Sequence, residues 1–424
     1  MKQIKARAHE FWNMCRQKQK IREEITRNRR ECESRKLSAN PLVSIIMLNR
    51  NGKKHLERLM SSMEKEKFYS NFEIIMVDNA SADDSVSYMK GLKDKFDITV
   101  IQNTENKSFS EANNDGAAAA RGEYLLFLNN DTQVTEGWLD ALLDTALTKE
   151  NVGAAGAKLV YPKIPDHCLN AGKSYTIQHR GIAFRGIKRN GTYFVQPYNM
   201  GNGDKNLGAD FEPEERACVT AAVMLVSKKA FDAVGGFDER YQYGYEDVDL
   251  CLKLYKAGFH NYYCPGALVF HYEFGTQEKD DNQQVKDRRL QNMRVFQEKW
   301  QTYLQQRILD DKIHNRRIFT ETGLVAAIVP EKFEQPEEAE GDIGYHKIKT
   351  SLEKAGCTVK FPKGFKKNKP YEIGYDVDVL ISLADGYDFS MLKSVKTNLI
   401  KIPWLEEKEM TWERLLEIIE QSCI

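Results

Sequence analysis

The chain has 424 residues, of which 41% are hydrophobic and 29% charged, a composition typical of a folded protein that is too long for one ordinary core. Lys plus Arg and Asp plus Glu both total 62, so the overall charge gives no reason to expect a nucleic-acid partner, and we predict none. No apolar run reaches the roughly 20 residues that cross a bilayer, the N-terminus has no signal-peptide pattern, and the eight cysteines form no CxxC pair, which together predict a cytoplasmic protein.

The first segment is basic and helical in pattern. Residues 1–37 contain no Gly or Pro and carry 12 Lys and Arg residues against 5 Glu residues. Apolar residues recur at helical spacing, which predicts an amphipathic basic helical extension over residues 1–40. Its Phe11 and Trp12 face is expected to dock on the chain itself or on a second copy in a homodimer. The alternative is peripheral contact with an anionic membrane, at its inner face.

Strands and helices alternate from Pro41 to about residue 160. The buried strands are predicted in the stretches LVSIIMLNR, FEIIMVDNAS, ITVIQN and EYLLFLNND, with amphipathic helices between them. Ser110 is expected to cap the helix that precedes the fourth strand. This order predicts an α/β fold, with a mostly parallel, Rossmann-like sheet and helices on both faces.

Polar clusters end several of these strands, at residues 49–51, 78–81 and 129–131. Ligands of open α/β sheets bind outside the carboxyl ends of the strands, so the clusters are expected to line one rim. Each cluster could instead be a turn, since Asn and Asp favour turns. Their shared position favours a functional site.

The second half of the chain changes character several times. Residues 161–215 are loop-rich, a helix is predicted to begin at the acidic run of Glu246, Asp247 and Asp249, and His271 follows short extended pieces. We predict a basic extension, a catalytic domain, a helical connector and a small α/β domain over the ranges 1–40, 41–280, 281–317 and 318–424.

The acidic residues suit metal-assisted transfer of a sugar. A diphosphate leaving group is stabilised by Mn²⁺ or Mg²⁺, for which Asp131 is a candidate ligand. The acceptor hydroxyl needs a carboxylate base, for which Asp247 is a candidate, although it could simply cap its helix. Asp78 could hold the nucleoside or form an Asx turn. His271 could be a metal ligand or a structural histidine.

Several stretches in order resemble the family 2 glycosyltransferases of the GT-A fold, over about residues 42–275. They include VSIIMLNRNG, EIIMVDNASADDS, FLNNDT, AVGGFDERY, YGYEDVDL and PGALVFHYEFGT. The resemblance is closest to bacterial rhamnosyltransferase-like members that build surface polysaccharides or glycoproteins. The metal motif departs from that family's DxD form, because Asn129 stands where the first Asp is expected.

The resemblance implies an inverting glycosyltransferase. Asp247 would be the general base with Glu246 beside it, and Asp131 and His271 would bind the metal cation and the diphosphate. The nucleotide pocket would be lined by Asn49, Asn51, Asp78, Asn79, Asn106, Lys107 and Asn130.

The implied partners are a nucleotide-diphosphate sugar donor, a divalent cation (Mn²⁺ or Mg²⁺) and a glycan, lipid-linked or protein acceptor. The C-terminal region resembles, more weakly, part of a GT-B glycosyltransferase. Two other functions stay open on the sequence: a non-catalytic carbohydrate-binding or scaffold protein with a degenerate site, and a nucleotidyltransferase. The single glycine of NRNGKKHL disfavours the latter, which needs a Gly-rich loop for triphosphate.

Overall fold

The computed structural model describes residues 2–65, 68–164, 171–205, 212–242, 244–272, 283–329, 343–361, 371–383, 387–396, 398–402 and 412–422. The chain divides into two compact units. The first comprises Met1–Ala183 and Tyr198–Phe296, and the second comprises Phe184–Pro197 and Gln297–Ile424.

The described helices and strands follow the predicted alternation over residues 41–160. The helices are α1 (Lys2–Ser34), α2 (Lys53–Met63), α3 (Ser85–Lys90), α4 (Phe109–Ala119), α5 (Trp138–Thr148), α6 (Lys228–Ala233), α7 (Glu246–Lys256), α8 (Gln283–Ile313), α9 (Ile343–Lys354) and α10 (Trp412–Ser422). The strands are β1 (Val43–Asn49), β2 (Phe72–Asn79), β3 (Ile98–Asn103), β4 (Tyr124–Leu128), β5 (Thr132–Val134), β6 (Val152–Val160), β7 (Ile177–His179), β8 (Ile182–Arg189), β9 (Thr192–Asn199), β10 (Glu214–Arg216), β11 (Val223–Ser227), β12 (His260–His271), β13 (Val325–Val329), β14 (Thr358–Lys360), β15 (Tyr371–Glu372), β16 (Val379–Ser382), β17 (Leu392–Lys393) and β18 (Ile400–Ile402).

The main sheet of the first unit has the order β10-β12-β6-β11-β4-β1-β2-β3, with β5 paired to β12 and β7 to β6. Its central strands are apolar because both faces are covered: Val43, Ile45 and Ile46 of β1 are fully buried. Strands β3, β2, β1 and β4 run parallel. Beyond them β11 enters antiparallel between β4 and β6. The α/β class and the mostly parallel sheet are confirmed, because β6 and β12 run in the same direction as the first four strands.

The far half of the sheet carries His271 back to that rim. Strand β12 runs parallel to β6, with a break in register between Cys264 and Leu268. Its last residues pair antiparallel with β5, so that His271 lies opposite Thr132. The end of β12 therefore lies beside the polar cluster that follows β4.

Helix α4 begins differently from the prediction. Its N-cap is Ser108, which forms a capping box with Glu111, whereas the Ser110 hydroxyl donates to Tyr241 O at 3.3 Å. The prediction that Ser110 caps this helix is wrong, because Ser108 has the extended backbone and the Glu three residues later that a capping box requires.

The segment 161–215 contains more regular structure than its loop-rich sequence indicates. Its described residues form β7, the antiparallel hairpin of β8 and β9, and β10. The hydrophobic pattern of the sequence did not indicate these strands, because β8 and β9 are polar along much of their length. Residues 165–170 and 206–211 lie outside the described residues.

Helix α1 packs on its own chain through one stripe. The buried positions of this stripe recur every three or four residues and are Gln17, Ile21, Glu24, Asn28 and Cys32. Trp12 is 72% exposed, so it is not part of the packed surface, and the side chain of Phe11 lies outside the described residues. Trp12 therefore does not dock on its own chain, and docking of this face on a second copy stays a prediction. No helix in the described part of the chain is long and apolar enough to cross a bilayer.

The second unit has its own sheet, with strand order β14-β13-β16-β18 and all strands parallel. Its core includes Leu324 and Ile328 with residues of α9 and α10. Buried Asp378 forms ion pairs with Lys312 and Lys396. These contacts describe an α/β domain with a separate core.

Candidate active site

The carboxyl ends of β1, β2 and β4 meet through a chain of side-chain hydrogen bonds. Asn130 Nδ2 donates to Asn49 Oδ1 at 2.8 Å, and Asn49 Nδ2 donates to Asp78 Oδ1 at 3.0 Å. All three side chains are buried. Gly52 is required beside them, since a Cβ there would lie 2.5 Å from both Asn49 Oδ1 and Asn130 Nδ2. The structure therefore brings the three predicted clusters together.

The turn after β2 uses the Asp78 carboxylate. Asp78 accepts hydrogen bonds from the Ser81 backbone N–H at 3.0 Å and from its hydroxyl at 2.6 Å. Asn51 closes the same turn, because its Oδ1 accepts from Ala82 N at 2.7 Å. Ala80 has a positive φ of 55°, a conformation that costs energy in a residue other than Gly. These contacts give Asp78 a structural role at the rim, as the turn interpretation predicts.

The remaining predicted nucleotide contacts extend the rim along β3. Asn79 accepts from Asn103 Nδ2 at 2.8 Å and donates to the Lys107 carbonyl at 2.9 Å. The Lys107 ammonium pairs with Asp115 at 2.6 Å, which raises its pKa. Asn106 is exposed. Asn79 therefore connects Lys107 to the rim, whereas Asn106 lies at the surface.

Asp131 and His271 form a largely buried acidic and basic pair at the rim. His271 Nε2 lies 3.2 Å from Asp131 Oδ1, and His271 Nδ1 lies 2.9 Å from Gln178 Oε1. An amide oxygen only accepts hydrogen bonds, so Nδ1 carries a proton, and in the neutral ring Nε2 has the lone pair. A lone pair and a carboxylate oxygen then face each other, an arrangement that a cation would stabilise.

The charge of Asp131 depends on its neighbours. Burial opposes its ionisation, but the side-chain contact with His271 and the electrostatic influence of His271 and His55 outweigh burial and lower its pKa. The backbone is held as well, because Tyr272 N donates to Asp131 O at 2.9 Å. Asp131 is consequently a buried but ionised carboxylate at neutral pH.

This pair suits a divalent cation that completes its coordination with substrate and water. No cluster of three or more His, Cys, Asp or Glu side chains with metal-binding geometry occurs among the residues that the structure describes. Mg²⁺ and Mn²⁺ commonly take one or two protein ligands and fill their other positions with phosphate oxygens and water. The donation of His271 Nδ1 to Gln178 is also the hydrogen bond that orients a metal-binding imidazole. The residues present therefore fit such an ion.

A strained turn presents Glu246 and Asp247 at the start of α7. The residue before the helix, Tyr245, has a positive φ of 74°. Buried Asn292 supports this turn by donating to Gly244 O at 3.1 Å and accepting from Gln242 N at 3.3 Å. Such strain persists only where the surroundings enforce it, and it is common at functional sites.

The two carboxyl groups differ in their contacts. Asp247 accepts hydrogen bonds from Ala221 N at 3.2 Å and Val248 N at 2.8 Å, and a further bond from Thr220 also favours its charged form. Burial nevertheless raises its pKa. Glu246 Oε2 is buried without a hydrogen-bond partner in the described chain, and burial together with the charge of Asp247 raises the pKa of Glu246 to about 8. The hydrogen bonds make Asp247 the better stabilised carboxylate of the pair, whereas the raised pKa of Glu246 means that Glu246 holds the proton at neutral pH.

The segment 220–222 connects the two halves of the site. The Ala221 N–H binds Asp247, and Ala222 O accepts from Asn129 N at 2.9 Å. Thr220 N donates to His179 Nε2 at 3.3 Å, and the neighbour of His179, Gln178, orients His271. Asp247 and Asp131 thus belong to one continuous set of contacts, which runs through segments 178–179 and 220–222.

His179 is a neutral part of this set. Because Thr220 N donates to Nε2, the proton lies on Nδ1, which donates to Asn199 Oδ1 at 3.1 Å. Burial, together with the nearby His271, lowers the pKa of His179 to about 4. The residue therefore fixes geometry without adding charge.

Sequence reasoning did not assign Gln178, His179 or Thr220 to the site. They lie in β7 and before β11, and pairing of β7 with β6 brings two of them to the rim. The only local signal is the Gln-His pair at the end of a short apolar run, which is too weak to identify alone.

Comparison with known protein families gives two matches, which lie one after the other along the chain. Residues 44–202 match Glycosyl transferase family 2. Residues 209–275 match the N-terminal domain of galactosyltransferase. The rim, Gln178 and His179 fall in the first match, and Glu246, Asp247 and His271 fall in the second.

Several curated proteins are similar over part of the chain. The O-antigen biosynthesis protein RfbC of Myxococcus xanthus is 30% identical over 57% of this chain and 18% of its own length. The N-acetylglucosaminyl-diphospho-decaprenol L-rhamnosyltransferase of Mycobacterium tuberculosis is 32% identical over 37% of this chain and 50% of its own length. The chain spans half or less of the length of these relatives.

Among solved structures, GalNAc-T7 with UDP, GalNAc and Mn²⁺ aligns with a TM-score of 0.43 and 18% identity, over 55% of this chain and 44% of that chain. The mannosyltransferase PcManGT of Pyrobaculum calidifontis, in complex with GDP-Man and Mn²⁺, aligns with a TM-score of 0.40 and 15% identity, over 66% of this chain and 72% of that chain.

Proposed function

Because the chain carries a family 2 glycosyltransferase domain of the GT-A fold, we propose that it is an inverting glycosyltransferase that moves a sugar from a nucleotide-diphosphate donor to a hydroxyl acceptor. The observation that carries the proposal is the contact path that joins Asp131 and His271, through Gln178, His179 and segment 220–222, to Asp247. This path supports a single site in which a cation-binding pair and a base act together.

In this proposal the donor binds along the rim of β1, β2 and β4. Asn49, Asp78 and Asn130 hold the three strand ends in register, and the exposed polar groups near them contact the nucleoside. Asp131 and His271 would hold Mn²⁺ or Mg²⁺, which neutralises the diphosphate when bound. The rhamnosyltransferase name of one relative and the metal and nucleotides named for the two solved structures agree with this donor class.

Asp247 removes the proton from the attacking hydroxyl. Its hydrogen bonds from Thr220, Ala221 and Val248 keep one carboxylate charged, while protonated Glu246 avoids a second charge beside it. The hydroxyl oxygen forms a bond to the anomeric carbon as the bond to the diphosphate breaks, and the proton passes to Asp247. Attack opposite to the leaving group inverts the anomeric configuration.

We propose that the acceptor is part of a surface glycan, a polysaccharide or a glycoprotein, in keeping with the O-antigen role named for one relative. A lipid-linked acceptor would place the enzyme at the membrane surface, and the exposed Trp12 on basic α1 would then be available for lipid contact.

The test is a panel of nucleotide-sugars with Mn²⁺, followed by the same assay on Asp247→Asn. The native protein should consume at least one donor. Asp247→Asn should retain nucleotide affinity but lose transfer by a factor of about 10²–10⁴, because it removes the base. Transfer by Asp247→Asn at the native rate would exclude Asp247 as the base. A native protein that binds donors but neither hydrolyses nor transfers them would indicate a binding protein.

A further inference from the structure

Strand β12 has an irregularity just before the segment that carries His271. Consecutive residues Ala157 and Lys158 of β6 pair with Cys264 and Leu268 of β12, so Pro265, Gly266 and Ala267 form a bulge. A bulge changes the direction in which the side chains after it point. Because side chains alternate along a strand, a slip by one residue would turn His271 to the opposite face. The bulge therefore decides whether His271 faces Asp131.

Helix α1 contacts this bulge directly. Asn28 Nδ2 donates to Gly266 O at 3.0 Å, and the Asn28 side chain is buried. A bulge carbonyl has no ladder partner of its own, and a buried carbonyl without a hydrogen bond is costly. Asn28 thus satisfies a group that only this bulge conformation presents to α1.

One turn earlier, α1 holds the strand that faces the bulge. Glu24 Oε1 pairs with Lys158 Nζ at 2.7 Å, and the two side chains are only 1% and 0% exposed. Lys158 is the residue of β6 opposite Leu268, the first paired residue after the bulge. A buried charge tolerates little displacement of its partner, so this pair fixes α1 against β6.

A small apolar cluster connects the same helix to the strands that carry His271 and Gln178. Ile21 of α1 packs with Val160, Ile177 and Leu268. Ile177 precedes Gln178, and Leu268 begins the stretch that ends at His271. Helix α1 consequently contacts the strand of the metal-binding histidine and the strand of the residue that orients it.

We propose that α1 is a positioning element of the active site, in which Asn28 and the Glu24–Lys158 pair set the register of β12 and thereby place His271 against Asp131. The inference deepens the proposed function and rests on its cation site. Asn28, Glu24 and Lys158 act through β12 and do not touch substrate.

The experiment compares full-length Asn28→Ala with Thr26→Ala. Thr26 is exposed on the same helix and its hydroxyl donates to Arg22 O within that helix, so its variant is a matched control. Two quantities are measured: Mn²⁺ affinity in the presence of UDP or GDP, and amide hydrogen exchange of the apo protein over residues 268–272. Asn28→Ala should weaken Mn²⁺ binding about tenfold and speed exchange in that segment, as loss of an outer contact to a metal ligand does. Thr26→Ala should do neither.

Unchanged Mn²⁺ affinity and unchanged exchange in Asn28→Ala would overturn the proposal, as would equal effects in Thr26→Ala. If Asn28→Ala does not fold, Asn28→Ser replaces it, because it makes a smaller change in packing and still shortens the side chain. The Mn²⁺ affinity and the exchange rates of Asn28→Ser then test the proposal in the same way. A native protein that binds no Mn²⁺ would contradict the proposed cation site. The exchange of residues 268–272 would then still decide whether α1 sets the register.

Discussion

Glu246 is expected to make the stability of the protein depend on pH, and Glu246→Gln should remove that dependence. Burial and the charge of Asp247 raise the pKa of Glu246 from 4.5 to about 8. Between these values the folded protein holds a proton that the unfolded chain releases. The contribution of Glu246 to the free energy of unfolding is therefore complete below pH 4.5, and it is lost as the pH rises through about 8.

The two pKa values differ by about 3.5 units, and each unit corresponds to about 1.4 kcal/mol. The pH-dependent change in the free energy of unfolding therefore has an upper limit of about 5 kcal/mol. Glu246 is only partly buried in the structure, so solvent screening reduces the expected effect to about 2 kcal/mol. Glutamine cannot ionise. Glu246→Gln should therefore gain about 2 kcal/mol relative to the native protein when the pH is raised from about 5 to about 8.5.

The assay is urea unfolding of both proteins at the two pH values, followed by tryptophan fluorescence. Glu57→Gln, at an exposed position of α2, is the control and should leave the pH dependence unchanged. If native and Glu246→Gln proteins lose stability in parallel as the pH rises, Glu246 is not protonated in the folded state at neutral pH, and the division of roles between it and Asp247 is refuted.

Three further substitutions test separate parts of the site and its support. Asp131→Ala should weaken Mn²⁺-dependent nucleotide binding at least about tenfold by calorimetry, since it removes one of two protein ligands, while binding without metal should change little. Gln178→Leu should weaken Mn²⁺ binding by a factor of about 10–100, because His271 loses its orienting acceptor, and equal affinity would exclude that role. Lys158→Met should cost about 3–5 kcal/mol of stability by leaving Glu24 buried and unpaired, and combining it with Glu24→Leu should restore most of the loss in a urea titration.

The sequence was sufficient to predict the rim, because its signal is local. Asn49, Asp78 and Asn130 each follow a recognisable buried strand, and parallel strands must place their carboxyl ends at the same edge. The acidic start of α7 was equally visible, since Glu246 and Asp247 stand at a helix N-terminus. What the pattern could not separate was the Asx turn of Asp78 from a nucleoside contact, because both use the same carboxylate.

Non-local pairing explains what the sequence could not predict. Gln178 and His179 reach the site because β7 pairs with β6, and nothing in a three-residue strand indicates its partner. The docking stripe of α1 was missed because it contains Glu24 and Asn28, which look like surface residues until Lys158 and the bulge carbonyl of Gly266 supply their partners. Trp12 has the opposite character, since its apolar side chain remains exposed.

The most direct test of the central claim is to locate the cation. Crystals soaked with Mn²⁺ and UDP or GDP can be measured at a wavelength where manganese scatters anomalously. We expect one peak within coordination distance of an Asp131 carboxylate oxygen and His271 Nε2, with the diphosphate beside it on the side that faces Asp247. A diphosphate-bound manganese ion that contacts neither Asp131 nor His271 would contradict the proposed site.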